Sequence, residues 1–242
     1  LFHKAISQSG YTTSIKYETG YLGDSSSIEY ISSNKIVEKL TSSKDIKKIR
    51  SLLFSEEAYD IYKQYNDEDI LSELPLLTND GIVIPKIGLA KSLRNPVNED
   101  IPIIAGSNRD EVKLWIGTAL YFVQPEYSLF GSILGVPRIK IVNEDAFEAF
   151  NYYRSSAWQL RGVKYPLDNL SAYGYRNLYA YRYDWDDHRR WPVANFKKII
   201  GAAHATEIPL IAGNNKLVGD YGFLIYPRGF SKSYTSKNMM KF

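Results

Sequence analysis

The sequence has 242 residues, a mass of 27.7 kDa and a formal net charge of +3, from 30 basic and 27 acidic residues. A hydrophobic fraction of 44% and a charged fraction of 24% are typical of a folded domain and argue against disorder. The basic residues form no long run, so no nucleic-acid footprint is predicted. No apolar run approaches the ~20 residues of a transmembrane helix, and the lack of cysteine excludes disulfides, thiol nucleophiles and cysteine-ligated zinc within this chain.

The two ends of the sequence look like cuts through a longer protein. The chain begins Leu1-Phe2-His3 without a capping or turn signal, and it ends with Met-Met-Lys-Phe inside an amphipathic segment. We therefore expect residues 1–242 to be a piece of a longer chain, truncated at both ends.

The apolar pattern predicts short strands alternating with helices, which indicates an α/β architecture. In chain order we predict a strand over Ala5–Ser7, a helix capped around Ser42 and Asp45, a second helix after Ser55-Glu56-Glu57, a turn at Asn79-Asp80-Gly81, a strand over Ile82–Ile84, a buried strand over Ile101–Ala105, a helix capped by Asp145, a strand over Leu178–Tyr183 and a helical stretch between Gly201 and Gly213.

The three histidines differ in their surroundings. His3 adjoins a predicted strand, and His188 falls in a charged stretch, Asp184–Arg190, that predicts a solvated loop. Neither has the spacing of a metal site. His204 is flanked by small residues that leave room around the imidazole, so it is a candidate general base. The alternative is a structural histidine that is hydrogen-bonded in a turn.

A candidate acid follows the buried strand. Catalytic groups gather beyond the carboxyl ends of strands in open α/β sheets, so Glu111 can orient an imidazole there. The alternative is a surface acid paired with Arg109. Together, Glu111 and His204 keep the chain order in which acid and histidine follow the serine of an α/β-hydrolase triad. The sequence contains no G-x-S-x-G and no HGGG-type oxyanion segment, so both would lie upstream of Leu1.

Five segments, in this order, resemble landmarks of the type-B carboxylesterase and cholinesterase family. They are Leu1–Gly10 (the strand that follows the nucleophile elbow and its helix), Asp80–Pro85 (D-G-x-x-I/L-P), Gly106–Glu111 (G-x-N-x-D-E-G), Tyr179–Trp185 (the strand before the histidine loop) and Gly201–Gly213 (G-A-x-H-x-x-E-I-P-x-x-x-G). One departure is Val112, which stands where the family has glycine and brings a branched side chain into the local backbone.

The resemblance implies the C-terminal portion of an α/β-hydrolase fold over residues 1–242, with a mostly parallel central sheet flanked by helices and with long helical and loop insertions. It implies Glu111 as the triad acid and His204 as the general base. Ser9 and Glu207 match positions that hydrogen-bond around the active site, and the alternatives for them are a turn-capping serine and a helix-start glutamate.

The implied activity is the hydrolysis of a small-molecule carboxylic ester by the intact protein, through an acyl-serine and with no metal or organic cofactor. We expect the chain alone to be inactive and unstable, because the nucleophile and the N-terminal strands would belong to the missing part of the same chain. Trp115, Tyr121 and Phe122 either line an acyl or alcohol pocket or pack in the core.

Two other functions compete with this one. The first is a catalytically inactive, esterase-like module for protein–protein adhesion, and the second is a self-contained domain that binds a small ligand. The presence of both Glu111 and His204 favours the enzyme over the adhesion module.

Overall fold

The computed structural model describes residues 2–23, 32–65, 77–96, 100–127, 137–189, 191–214, 216, 222–227 and 234–241. The chain divides into two units. Unit 1 comprises Leu1–Tyr11 and Asn98–Phe242, and unit 2 comprises Thr12–Val97.

The described strands are β1 (Ala5–Gln8), β2 (Ile15–Lys16), β3 (Thr78–Asn79), β4 (Ile103–Asn108), β5 (Val123–Glu126), β6 (Arg138–Ile141) and β7 (Leu178–Tyr183). The described helices are α1 (Tyr17–Leu22), α2 (Ser33–Leu40), α3 (Ile46–Ser55), α4 (Ala58–Lys63), α5 (Leu89–Ser92), α6 (Lys113–Ile116), α7 (Glu144–Gln159), α8 (Tyr165–Tyr173), α9 (Phe196–Ile199), α10 (Ile208–Ala212), α11 (Gly222–Ile225) and α12 (Tyr234–Met239). A π-helical turn over Leu160–Lys164 joins α7 to α8. No helix of the described ranges is long and apolar enough to cross a bilayer.

The central element of unit 1 is a parallel sheet in the order β1-β4-β7. The last four residues of β4 are buried, so burial is deepest at the carboxyl end of this strand. Gly106 permits close packing there, because a Cβ atom at this position would lie 2.1 Å from the ring of Tyr181. Parallel strands separated by helices confirm the predicted α/β class, although β4 begins two residues later than predicted and extends through Asn108.

One predicted strand is wrong. The side chain of Asp80 accepts hydrogen bonds at Oδ1 from the backbone N–H groups of Ile82, Val83 and Ile84. These bonds curl the chain into a turn, because an aspartate side chain competes with sheet pairing for nearby N–H groups. Ile82 is consequently 90% exposed instead of lying in a sheet.

Two predicted helix caps are also displaced. Asp45 rather than Ser42 caps α3 and accepts the N–H of Lys47. Asn143 rather than Asp145 caps α7. In both caps the backbone is extended, as an N-cap requires, whereas Asp145 already lies in the first helical turn.

Unit 2 contains helices α1–α5 and the short parallel pair β2-β3. Its buried residues include Ile36, which is 3% exposed, and Ser32, which caps α2. The predicted helix after Asp45 is present as α3, but none of its side chains is buried, and Ile46 is 80% exposed.

The long helical segment from α7 to α8 changes its winding at the π turn. Pro166 has no N–H to donate to the carbonyl of Gly162, so the regular i to i−4 pattern is interrupted there. Gly162 packs directly against Gly10, two residues after the end of β1, because a Cβ atom at position 162 would overlap the carbonyl oxygen of Gly10. The turn therefore lies beside the carboxyl end of β1, and π turns of this kind are frequent at functional sites.

Phe147 on α7 is fully buried in a cluster with Ile116 and Val123. Its ring also makes an edge contact with Phe122, with centroids 5.8 Å apart. Phe147 and Tyr153 recur at roughly helical spacing in the sequence, but only Phe147 is buried, and Tyr153 is 71% exposed.

We expect Phe147→Ala to lower the free energy of unfolding by about 3–5 kcal/mol, because it removes a buried ring and leaves a cavity. The matched control on the same helix is Tyr153→Ala, which should change stability by about 0.5 kcal/mol or less. Denaturant titration of the two variants checks this. Equal losses would contradict the assigned core.

Candidate functional site

The site is organised by Glu111, which follows β4 and is fully buried. Its Oε1 atom accepts hydrogen bonds from Ser9 Oγ at 2.6 Å and from the backbone N–H of Asn108 at 2.7 Å. Its Oε2 atom lies 2.8 Å from His204 Nδ1. Three partners from three separate segments therefore fix the orientation of this carboxylate.

The alternative interpretation of Glu111 as a surface acid paired with Arg109 is wrong. Arg109 binds its neighbour Asp110 and also Asp186, each at 2.8 Å from Nη2. These two ion pairs hold the side chain of Arg109, which is partly exposed, whereas Glu111 is fully buried.

His204 lies in the loop between α9 and α10, and its side chain is 31% exposed. Because a carboxylate only accepts hydrogen bonds, the contact with Glu111 assigns the proton to Nδ1. The hydrogen bond that His204 donates to Glu111 raises the pKa of His204, and it outweighs the opposing effect of burial. In the described part of the chain no group hydrogen-bonds to Nε2 of this histidine, so that atom is available to take up a proton.

Two tryptophans contact the imidazole. The ring of Trp115 stacks on His204 with centroids 5.5 Å apart, and the ring of Trp158 lies 5.1 Å away. Trp158 also donates from Nε1 to the carbonyl oxygen of Ser9 at 3.1 Å. Sequence reasoning identified Trp115 but missed Trp158, because nothing in the helical pattern of α7 shows that it faces β1.

Ser9 and Glu207 both lie at the site and are 7% and 3% exposed. Ser9 has a left-handed backbone with φ of 50°, and its hydroxyl binds Glu111 instead of capping a turn. Glu207 stands at the start of α10, at the N-cap position, but its side chain makes no capping bond. Its carboxylate instead accepts a hydrogen bond from the side-chain amide of Asn108. Asn108 also donates to the carbonyl oxygen of Ala203 at 2.7 Å, so it joins the acid and histidine segments.

The remaining positions singled out in the sequence are Val112, Tyr121 and Phe122, and they differ in their surroundings. Val112 has φ of −81° and ψ of −8°, a conformation open to branched residues, so valine does not distort this turn. Phe122 packs in the Phe147 cluster, which assigns it to the core. Tyr121 is 82% exposed and contacts Phe122 rather than His204.

The prediction of a solvated loop at His188 is wrong. This histidine is 4% exposed, packs edge-on against Trp185 and hydrogen-bonds through Nε2 to the carbonyl oxygen of Gly201. Burial lowers the pKa of the imidazole. The charged neighbours misled the sequence interpretation, because Asp184 and Asp187 are exposed whereas the ring of His188 is buried. No group of three or more histidine, aspartate or glutamate side chains within the described ranges is placed to hold a metal ion.

We expect Glu111→Gln to lower the pKa of His204, because the neutral amide no longer stabilises the imidazolium while burial continues to disfavour it. The control is Glu207→Gln, which acts on His204 only through the weakest of the named charge effects and should lower its pKa less. Imidazole NMR titration measures both, since the sequence has only three histidines. An unchanged His204 titration in Glu111→Gln would contradict the assigned contact.

Neither a protein-family model nor a curated protein sequence matches this chain. Solved structures do match it. A PNB esterase is 18% identical with a TM-score of 0.56, and the match covers 99% of this chain. The carboxylesterase EST55 of Geobacillus stearothermophilus is 20% identical with a TM-score of 0.57, again over 99% of this chain. A thermophilic PNB esterase is 19% identical with a TM-score of 0.51 over 88% of this chain.

The chain spans about half of the length of these esterases, with 45% and 47% of the first two covered. At this level of identity the similarity concerns the fold. It agrees with the parallel β1-β4-β7 sheet and its flanking helices. The chain therefore has a partial α/β-hydrolase fold.

Proposed function

We propose that this chain supplies the acid and the general base of a serine carboxylesterase, with Glu111 and His204 in these roles. The observation that carries the proposal is the contact of 2.8 Å between Glu111 Oε2 and His204 Nδ1, made by a fully buried carboxylate to a partly exposed imidazole. A merely structural histidine has no need of an accessible second nitrogen. The substrate is a small-molecule ester.

In this proposal His204 carries out each proton transfer. Glu111 holds the proton on Nδ1, so the lone pair of Nε2 accepts the proton of a serine hydroxyl as its oxygen attacks the ester carbonyl. Glu111 then stabilises the imidazolium, in agreement with the raised pKa of His204. The imidazolium returns the proton to the departing alcohol. Water subsequently cleaves the acyl-serine with His204 again acting as the base.

Ser9 and Glu207 have supporting roles in this proposal. Ser9 donates to Oε1 of Glu111 and thereby keeps Oε2 directed at the imidazole. Glu207 acts through Asn108, whose backbone N–H binds Glu111 and whose side chain binds the carbonyl oxygen of Ala203.

The serine and the oxyanion donors belong, in this proposal, to a preceding part of the same protein. Two findings support this assignment: the sequence lacks a G-x-S-x-G segment, and the chain spans 45–47% of the length of the esterases it matches. The 242 residues are then one portion of a single catalytic domain, and they are inactive by themselves.

We expect the full-length protein to hydrolyse short-chain aryl esters such as p-nitrophenyl acetate, and His204→Ala to lower kcat/KM by about 10⁴-fold or more. The control is His3→Ala, because His3 is exposed and is not among the residues of the site; this variant should retain full activity. Steady-state kinetics with matched circular dichroism spectra provide the comparison.

Two results would count against the proposal. Full activity in His204→Ala would remove this histidine from the mechanism. A folded full-length protein without any ester hydrolysis would instead favour the inactive adhesion module.

A further inference from the structure

The turn that carries Glu111 and the loop that carries His204 are joined by paired hydrogen bonds along their backbones. The N–H of Asp110 donates to the carbonyl oxygen of Ala202 at 3.0 Å, and the N–H of His204 donates to the carbonyl oxygen of Glu111 at 3.2 Å. Asp110 and Glu111 thus pair through their backbones with Ala202 and His204. This pairing determines where the imidazole of His204 meets the carboxylate of Glu111.

The side chain of Asp110 adds a second bond to the same loop. Its Oδ2 atom accepts the N–H of Ala202 at 2.9 Å, so both backbone groups of Ala202 are bound by one residue. The contact is buried, since Asp110 is 4% and Ala202 is 0% exposed. A buried bond of this kind cannot be replaced by water without rearranging the loop.

The carboxylate of Asp110 is itself held from several sides. Asn151 on α7 donates to Oδ1 at 2.7 Å, and Arg109 donates to Oδ2 from Nε at 3.0 Å and from Nη2 at 2.8 Å. The ammonium group of Lys113 lies 3.7 Å from Oδ1. Burial alone would raise the pKa of Asp110, but the hydrogen bond from Arg109, the charge of Lys113 and the N–H of Ala202 outweigh it and lower this pKa. Asp110 is therefore a fixed anion to which the loop is attached.

Gly201 shows how closely the loop approaches this anion. Its φ is +54°, in the left-handed region, and a Cβ atom there would lie 2.3 Å from Oδ2 of Asp110. The carboxylate thus occupies the space in which a side chain at position 201 would stand. Only glycine fits both the backbone conformation and this contact.

We infer that Asp110 is a positioning residue for the general base: its carboxylate fixes the Gly201–His204 backbone and thereby places the imidazole within hydrogen-bonding distance of Glu111. Asp110 does not contact His204 and acts through Ala202. The kinetic consequence rests on the proposed esterase function, whereas the structural consequence is measurable in the full-length protein whether or not it hydrolyses esters.

Asparagine cannot take over this role. Both oxygens of Asp110 accept hydrogen bonds, Oδ1 from Asn151 and Oδ2 from Ala202 and Arg109. An amide at position 110 would direct its NH₂ group at one of these sets of donors, whichever way it is turned. The loop is expected to shift, and shifts of about 1 Å at a catalytic group reduce rates by about 10²-fold.

The test compares Asp110→Asn with Asp186→Asn. Asp186 is the matched control because it also pairs with Arg109 and loses the same charge, but its carboxylate makes no hydrogen bond or ion pair with residues 201–204 within the described ranges. In the full-length protein we expect Asp110→Asn to lower kcat by about 10²-fold with KM changed by less than about twofold, and Asp186→Asn to keep kcat within about twofold.

A second measurement separates this inference from the esterase proposal. In NMR titration of the full-length protein, Asp110→Asn should move the pKa of His204 downward, as expected when the imidazole leaves Glu111, and Asp186→Asn should leave it near that of the unsubstituted protein. If Asp110→Asn does not fold, Asn151→Ala removes one anchor of the carboxylate and should lower kcat by about tenfold. The inference is overturned if Asp110→Asn, or Asn151→Ala in its place, gives the same kcat and the same pKa of His204 as Asp186→Asn.

Discussion

The site depends on one constraint, the satisfaction of a fully buried carboxylate. Glu111 has no exposed surface, so each of its oxygens must find a donor within the protein. The donors come from the residue that follows β1, from the last residue of β4 and from the loop before α10. Segments 102 and 93 residues apart in sequence are thereby brought to one carboxyl group. The parallel sheet makes this possible because it places the carboxyl ends of β1 and β4 side by side.

The environment of His204 combines two opposing effects. Trp115 and Trp158 cover part of the imidazole and exclude water, which disfavours its charged form. Glu111 favours the charged form, and its effect is the larger one, since the pKa of His204 is raised. The protonated form of His204 is therefore stabilised, while the side chain of His204 remains partly exposed. This combination suits a group that takes up and returns a proton within one catalytic cycle.

The sequence predicts the parts of this molecule that depend on local pattern and chain order. The strands before Ser9 and Glu111 follow from short apolar runs, and the pairing of Glu111 with His204 follows from their order. The burial of His188 depends on tertiary packing against Trp185, which the charged neighbours in the sequence conceal. The position of Trp158 depends on the helix that ends in a π turn, and its hydrogen bond to Ser9 is likewise invisible in the local pattern.

The central claim is that His204 serves a serine nucleophile, and covalent labelling tests it most directly. The full-length protein would be treated with a fluorophosphonate, which reacts with activated serines, and the labelled peptide would be identified by mass spectrometry. The account predicts one labelled serine outside residues 1–242, with labelling lost in His204→Ala, because the serine is activated by this imidazole. Labelling that persists in His204→Ala, or a folded full-length protein in which no serine is labelled, would contradict the account.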